Sequence, residues 1–586
     1  MLKNCFQTAL LPLKESSKAA IAGAVCESFG DVKSYLHIER DVEGELEKII
    51  EKVVEAKNGK LVLVCGNVGD GKSHLISSLF QKYPKNRPLF KIYDDATESS
   101  SPTATNIEEL RRILSPYADE NLPSCDQHTI LAINLGTLNN FIAADRKDNQ
   151  KKFIELADYV QKKQILEVGR LEENTYNPNS CFQFVNFSDH NLFFLTNEGP
   201  VSSIIESALE KIVSLSNYNN PFQKAYSETC INCSANCPIK LNYELLQESL
   251  IRKKVSELLI QCIVKHHQII SIRALYNFIF DLLVPVVLDG LNLREISKWV
   301  KRSSSADFLQ NLFPNYLFEH PEVSDLFDCL QHLDPSLRRN VSLDDHIVSL
   351  VTKEDPEELL TKVQGPNELG KVLKKHAKSA NGQDVLVKTY VRLMFFSTVN
   401  SSKKYFDDDD TEYTKFMKLL YSWYIGDRTS LKKLYLLIQR TAMAWNGKAP
   451  NGEMLLELGN QQLKYLVSEE VSIQPGYLPV EKHQNSVVRK FSCLLPLKFK
   501  TSSGNNKEFS INVDYRLYEM ACNVDRGARI NHTDKNNFIA FTSFVDDIMR
   551  TGELGSRVRI IEAGTGQNFF LEKDTFGDFT FTEVQS

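Results

Sequence analysis

Residues Leu61 to His74 read Leu-Val-Leu-Val-Cys-Gly-Asn-Val-Gly-Asp-Gly-Lys-Ser-His, an apolar run that ends in the pattern G-x-x-x-x-G-K-S. In such a pattern the glycines let backbone N–H groups turn inward around an anion. Lys72 sets a point charge on the outer phosphate oxygens of a nucleotide, and the Ser73 hydroxyl, at a helix N-terminus, is placed for Mg²⁺. The apolar segment Lys60 to Cys65 and the helical spacing of His74-Leu-Ile-Ser-Ser-Leu-Phe80 give the strand, loop, helix order that this chemistry requires. The reading is a phosphate loop for ATP with Mg²⁺, formed by Gly66, Asn67, Val68, Gly69, Asp70, Gly71, Lys72, Ser73 and His74. Asp70 is an unusual acid so close to phosphates and is expected to point to solvent.

The chain as a whole bounds the partners. Its 586 residues suit three to four domains, and 42% apolar with 25% charged residues is ordinary core-forming composition. A formal net charge of −6 argues against a chain-wide electrostatic clamp on DNA, so any nucleic-acid contact would come from a local patch or a partner. Twelve cysteines, mostly single and in apolar segments, fit reduced thiols rather than a disulfide scaffold. The N-terminus has no sustained apolar run, and Ala274 to Leu291 is interrupted by Asp281, Pro285 and Asp289. The expectation is therefore no signal peptide, no membrane span and a cytoplasmic location.

Along the chain, Asp41 to Lys57 reads as an amphipathic helix ended by Asn58-Gly59. Strand-like runs at Pro88–Tyr93, Thr129–Asn134 and Phe182–Phe187 alternate with helical patterns at Asn106–Leu114 and Asn149–Val168. That alternation predicts an α/β fold: a P-loop NTPase core with an AAA+-like parallel sheet. Helical spacing dominates from Asn242 to Leu437, and beyond Gly452 the texture turns to strands, with Phe491–Lys500 and Glu508–Asp514 flanking the hairpin signal Ser503-Gly-Asn-Asn-Lys507. The domain reading is an N-terminal segment over 1–40, the NTPase core with a cysteine cluster over 41–241, a helical lid and helical domain over 242–450, and a strand-rich C-terminal domain over 451–586. No solenoid-period repeat is present.

Hydrolysis needs polar groups at the tips of neighbouring strands. Asp94 and Asp95 follow an apolar strand and are candidates for the Mg²⁺ or its water shell; a solvated turn or helix N-cap is the alternative. Asn134 and Asn186, at later strand ends, are candidate sensors of the γ-phosphate or its attacking water. Arg273 stands near the start of a helix with Ser271 as N-cap, where a guanidinium can close on the γ-phosphate, or serve as an ordinary surface or ion-paired arginine. Cys230, Cys233 and Cys237 form a C-x₂-C-x₃-C cluster that could hold Zn²⁺ or an iron–sulfur cluster, a structural zinc staple being favoured, with a fourth ligand such as Cys181, Cys262, His266 or His267; packed free thiols are the alternative. Asp407 to Asp410 reads as a solvated loop without the spacing of a calcium site. Arg489, Lys490, Lys498, Lys500 and Lys507 form a basic group that could touch phosphate backbones or solvate an edge strand.

Taken in order, several segments resemble the DptF family, the phosphorothioation-dependent DNA restriction proteins of bacterial defence systems. They are Cys65–Ser73, Asp94-Asp-Ala-Thr-Glu-Ser-Ser-Ser-Pro102, Ala132-Ile-Asn-Leu-Gly-Thr-Leu-Asn-Asn-Phe141 and the cysteine segment through Cys237-Pro-Ile-Lys-Leu-Asn-Tyr243. Ser271-Ile-Arg-Ala-Leu-Tyr-Asn-Phe-Ile279, Leu333-Asp-Pro-Ser-Leu-Arg338 and Val513-Asp-Tyr-Arg-Leu-Tyr518 continue the series. The phosphate loop is generic; the order of the segments is specific. The resemblance implies an ATPase component acting with the companion proteins DptG and DptH to restrict DNA that lacks sulfur in its backbone. Only the loop Gly66 to Ser73 carries over residue by residue.

Overall fold

The computed structural model describes residues 5–14, 32, 34–94, 106–148, 151–166, 174–217, 219–230, 233–234, 236–339, 341–352, 383–396, 406, 411–449, 453–456, 464–471, 473–476, 487–501, 507–551, 557–573 and 576–583. The chain divides into two units, Met1–Phe194 with Pro200–Asp408 and Arg489–Phe491, and Leu195–Gly199 with Asp409–Val488 and Ser492–Ser586. Among the described residues no helix is long and apolar enough to cross a membrane.

The first unit begins with α1 (Phe6–Leu10) and α2 (Asp41–Val54), followed by β1 (Leu61–Cys65), α3 (Lys72–Lys82), β2 (Phe90–Tyr93) and α4 (Asn106–Leu114). Next come β3 (His128–Ile133), α5 (Leu135–Lys147), α6 (Ile154–Lys162) and β4 (Phe182–Asn186). The four strands form one parallel sheet in the order β2-β3-β1-β4. β1 lies inside it, in register Val62↔Ile130 on one side and Val62↔Gln183 on the other.

Every residue of β1 is buried, as a parallel strand covered on both faces demands. Strand alternation sends Leu61, Leu63 and Cys65 into a core with Leu110, Leu138, Phe141 and Leu156 from α4, α5 and α6. Val62 and Val64 go to the opposite core with Leu46, Ile49, Leu75 and Ile76 from α2 and α3. The α/β expectation holds, with the helical period of Asp41–Val54 packed where its apolar stripe predicts.

Helices continue through α7 (Ser203–Val213), α8 (Pro221–Thr229), α9 (Pro238–Leu246), α10 (Ser249–His266) and α11 (Ile272–Leu283), then further helical segments to Gln383–Phe396. A buried polar group fixes this part: Arg392, 1% exposed, pairs with Asp334 at 2.6 Å and Glu319 at 2.7 Å and donates to Asn315 at 2.8 Å.

The second unit is rich in antiparallel strands. β5 (Met454–Leu456), β6 (Tyr465–Glu469), β10 (Arg557–Glu562), β11 (Asn568–Lys573) and β12 (Phe579–Glu583) form a sheet in the order β12-β11-β10-β6-β5. β7 (Ile473–Pro475), β8 (Leu495–Thr501) and β9 (Glu508–Val513) form another, in which β8 and β9 pair from Leu495↔Val513 to Lys500↔Glu508 as the hairpin signal predicts. The basic residues do not make one free patch: Lys498 and Lys500 pair with Glu508, while in the first unit Arg489 pairs with Asp41 and Lys490 with Glu45.

Candidate nucleotide-binding site

The loop Gly66–Gly71 leaves the C-terminal end of β1 and enters α3 with Gly71 as its N-cap. Gly71, the second glycine of the pattern, and Gly69 within it have φ of 89° and 87°, the left-handed region that a side chain resists, and at the first glycine, Gly66, a Cβ would stand 2.9 Å from the Phe187 Cβ. The first N–H groups of α3 have no helical partner of their own, and the helix dipole makes this end positive.

Lys72 points back across the loop. Its ammonium donates to the carbonyls of Gly66 at 3.2 Å and Asn67 at 2.7 Å and to the side-chain oxygen of Asn134 at 2.8 Å. Asn134 is the N-cap residue of α5, yet its side chain makes no cap bond and serves Lys72 instead. The Ser73 hydroxyl donates to the Asp94 carbonyl at 3.0 Å, so the end of β2 reaches the loop although β3 separates β2 from β1. Asp95 lies outside the described residues, as do Asp407–Asp410. Asn186 is not brought to the loop: fully buried, it accepts from the Ser188 N–H at 3.1 Å and donates to the Ile165 carbonyl at 3.3 Å, holding the turn after β4.

Asp70 corrects the sequence reading. It does not point to solvent; its carboxylate accepts from the Asn67 N–H at 2.6 Å. Burial pushes its pKa above the ordinary value, against the opposing pull of that N–H, Lys72 and Arg40. A carboxylate oxygen thus sits on a loop N–H, where the charges of Lys72 and Arg40 favour its ionised form.

Arg40, just before α2, is the residue that sequence reasoning missed. A Cβ at Gly71 would stand 3.3 Å from its guanidinium, which also lies over the Phe187 ring at 4.5 Å. Burial lowers its pKa, while Glu43, Asp70 and Tyr276 favour its charge. The residues before it are tied in as well: the Tyr276 hydroxyl of α11 donates to the Leu36 carbonyl at 2.5 Å, and His37 bonds His74 at 3.0 Å and Glu43 at 3.1 Å. No local motif marks Arg40.

The N-terminus of α11 abuts the loop. Ser271 caps it by accepting from the Ala274 N–H at 3.1 Å, as its position predicts, and the Arg273 N–H faces the Gly69 carbonyl at 3.4 Å. Arg273 is exposed beside the loop. Val68, 72% exposed, forms the outer tip of the loop. A cavity of about 80 Å³ opens beside Arg40, between Glu39–Val42 and Phe187–Phe194. A larger, open depression of about 430 Å³ around Trp299 contains none of the loop residues.

Cys230 and Cys237 are buried and Cys233 half-buried. Cys233 donates to the Thr229 carbonyl at 3.2 Å. Among the described residues no three His, Cys, Asp or Glu side chains stand in a ready-made metal cage. Of the fourth ligands named from sequence, His266 stacks on His332 at 5.8 Å, His267 takes a left-handed conformation (φ 54°) at the end of α10, Cys262 is buried and Cys181 half-buried.

No family model, curated protein or solved structure matches this chain.

Proposed function

We propose that this chain is an ATPase that holds Mg-ATP on Gly66–Ser73 and works, with DptG and DptH companions, in a phosphorothioation-dependent DNA restriction complex. The observation that carries the ATP reading is the convergence of Lys72, Asn134, Ser73 and Asp94 at the end of β1. In this reading Lys72 leaves the loop carbonyls for the outer phosphates, and Asn134 orients the attacking water or γ-phosphate. Ser73, with Asp94 and Asp95 through water, would hold Mg²⁺, whose contribution is to neutralise phosphate charge. Arg273 would meet the γ-phosphate from α11, and Arg40, with the cavity beside it, would receive the remainder of the nucleotide. We read the sheet as AAA+-like, an acid-bearing strand lying one strand beyond the amide-bearing neighbour of β1. The DNA-restriction part rests on the sequence resemblance.

A second reading is a nucleotide-controlled switch or scaffold with little turnover and no DNA contact of its own. It is favoured by one observation: β3 leads into an amide, Asn134, where an acid would hold Mg²⁺ more strongly. Steady-state ATP hydrolysis by the chain and its Lys72→Ala variant, alone, with duplex DNA and with the companions, separates the two. Lys72-dependent turnover that rises with DNA or companions supports the ATPase; ATP binding without turnover in any mixture supports the switch.

A further inference from the structure

Three cysteines in eight residues lack a local fourth partner, and the fold supplies one from the other end of the unit's sequence. Cys5 is the N-cap of α1, Cys230 the C-cap of α8 and Cys237 the N-cap of α9. Phe6, the neighbour of Cys5, packs edge-on against Tyr226 of α8 at 5.6 Å and Tyr243 of α9 at 4.9 Å. Tyr226 precedes Cys230 by one helical turn, and Tyr243 lies in the helix that Cys237 opens, so the ring contacts gather these helix ends. The Cys233 N–H bonds the Cys230 carbonyl at 3.1 Å, and the Cys237 N–H bonds the Ser234 carbonyl at 3.2 Å. Beyond burial, the charge of neighbouring sulfurs in this group of four raises the pKa of Cys5, Cys230 and Cys237, although no three of the four already stand in a metal cage.

We propose that Cys5, Cys230, Cys233 and Cys237 form a four-thiolate Zn²⁺ site that staples α1 to the α8–α9 connection. Both local spacings, x₂ and x₃, fall within the range used by structural zinc sites, and a closed four-sulfur set leaves no open position for substrate, which fits a staple. Cys233 stands as a thiol that donates to the Thr229 carbonyl, and the Thr229 hydroxyl donates to the Cys230 sulfur at 3.8 Å. Zinc replaces those protons and turns the sulfurs toward one point by side-chain rotation. The balance is four S–H bonds broken, four Zn–S bonds formed and four protons released to solvent, with no oxidant or reductant. Without an ion this corner buries thiols that gain little from one another; with one, the short α1 gains an anchor that its five residues cannot supply.

The staple has a place in the fold. The segment after α1 packs toward α11, the helix that carries Arg273: Lys14 lies over the Phe280 ring at 5.1 Å and pairs with Asp289. Zinc would thereby fix the amino-terminal chain against α11 without entering the nucleotide site.

The test is metal analysis of the full chain expressed with zinc and purified without chelator, followed by replacement with Co²⁺. About one zinc per chain and an all-sulfur tetrahedral cobalt spectrum are expected for the wild type. Cys5→Ser and Cys233→Ser should lose the metal, whereas Cys181→Ser, Cys262→Ser and Lys72→Ala should keep it, the last separating this site from the nucleotide reading. Because Cys5→Ser could fail to fold, Cys5→His provides a second arm: it should bind one metal with a cobalt spectrum shifted to three sulfurs and one nitrogen. A folded wild type that takes up neither zinc nor cobalt, a chain that carries iron and sulfide, or a Cys5→Ser variant with an unchanged all-sulfur spectrum would overturn the proposal.

Discussion

Lys72 and Asn134 are joined by a 2.8 Å hydrogen bond that ties the first turn of α3 to the end of β3. The two residues are 62 positions apart, and the bond exists because β3 lies directly beside β1 in the sheet. An amide in that place holds the lysine without neutralising it, and in the proposed reading leaves its charge for phosphate.

Asn134→Ala should therefore separate binding from chemistry. ATP affinity should stay within a few-fold, since Lys72 and the loop N–H groups remain. Turnover should fall roughly 100-fold, the usual cost of deleting one preorganised polar group at a reacting centre. Equilibrium binding with a fluorescent ATP analogue and steady-state hydrolysis check the two halves. A loss of affinity with unchanged kcat would assign Asn134 to substrate binding alone.

Asp70 gives a pH-dependent outcome. Its carboxylate accepts from the Asn67 N–H and feels the charges of Lys72 and Arg40, so in the proposed reading phosphate would compete with it for the same groups. Asp70→Asn keeps an oxygen acceptor but removes the like charge, and ATP affinity at neutral pH should rise roughly tenfold, about 1.4 kcal/mol. The folded-state pKa is raised, mainly by burial. Stability linked to this group is therefore complete below its unfolded pKa and is lost as the pH rises through the folded value. Relative to wild type, Asp70→Asn should gain stability above that pH and show no difference at strongly acid pH. Denaturant titrations across the acid range read this directly.

The elements of the site were legible and their partners were not. The β1-loop-α3 unit is local: an apolar run, a glycine spacing and a helical period within twenty residues. Ser271 as an N-cap was legible for the same reason, since a cap is set by the residues that follow it. Asp70 was misread because the folded loop itself turns it inward: the Asn67 N–H holds its carboxylate, Lys72 adds to that pull, and Arg40, thirty residues upstream, adds a smaller one. Cys5 was invisible for another reason: nothing near it in sequence resembles a ligand, and only the Phe6, Tyr226 and Tyr243 ring contacts bring it to the cysteine cluster.

In the helical part of the first unit, Arg392 supplies a stability prediction independent of nucleotide. Its guanidinium is 1% exposed and bonded to Asp334, itself 6% exposed, as well as to Glu319 and Asn315. Arg392→Met preserves apolar volume but leaves the Asp334 carboxylate buried without its cation, which should cost about 3–5 kcal/mol. Adding Asp334→Asn should recover part of that loss, because the second change removes the stranded charge. Urea unfolding of the single and double variants measures both; equal stability of the two would show that the stranded charge is not the source of the cost.

Gly69→Ala tests whether the loop and α11 move as one. At φ 87° an alanine carries roughly 1–2 kcal/mol of backbone strain, and its methyl would meet the Ser271 hydroxyl at 2.9 Å and the Arg273 Cβ at 3.4 Å. Relief requires either the loop or the N-terminus of α11 to shift, and both carry groups assigned to the phosphates. If Arg273 works against the γ-phosphate, Gly69→Ala should weaken ATP more than ADP, because the displaced guanidinium serves only the terminal group. Parallel ATP and ADP binding isotherms decide the point: an equal loss for the two nucleotides would confine the damage to the loop and remove Arg273 from the γ-phosphate.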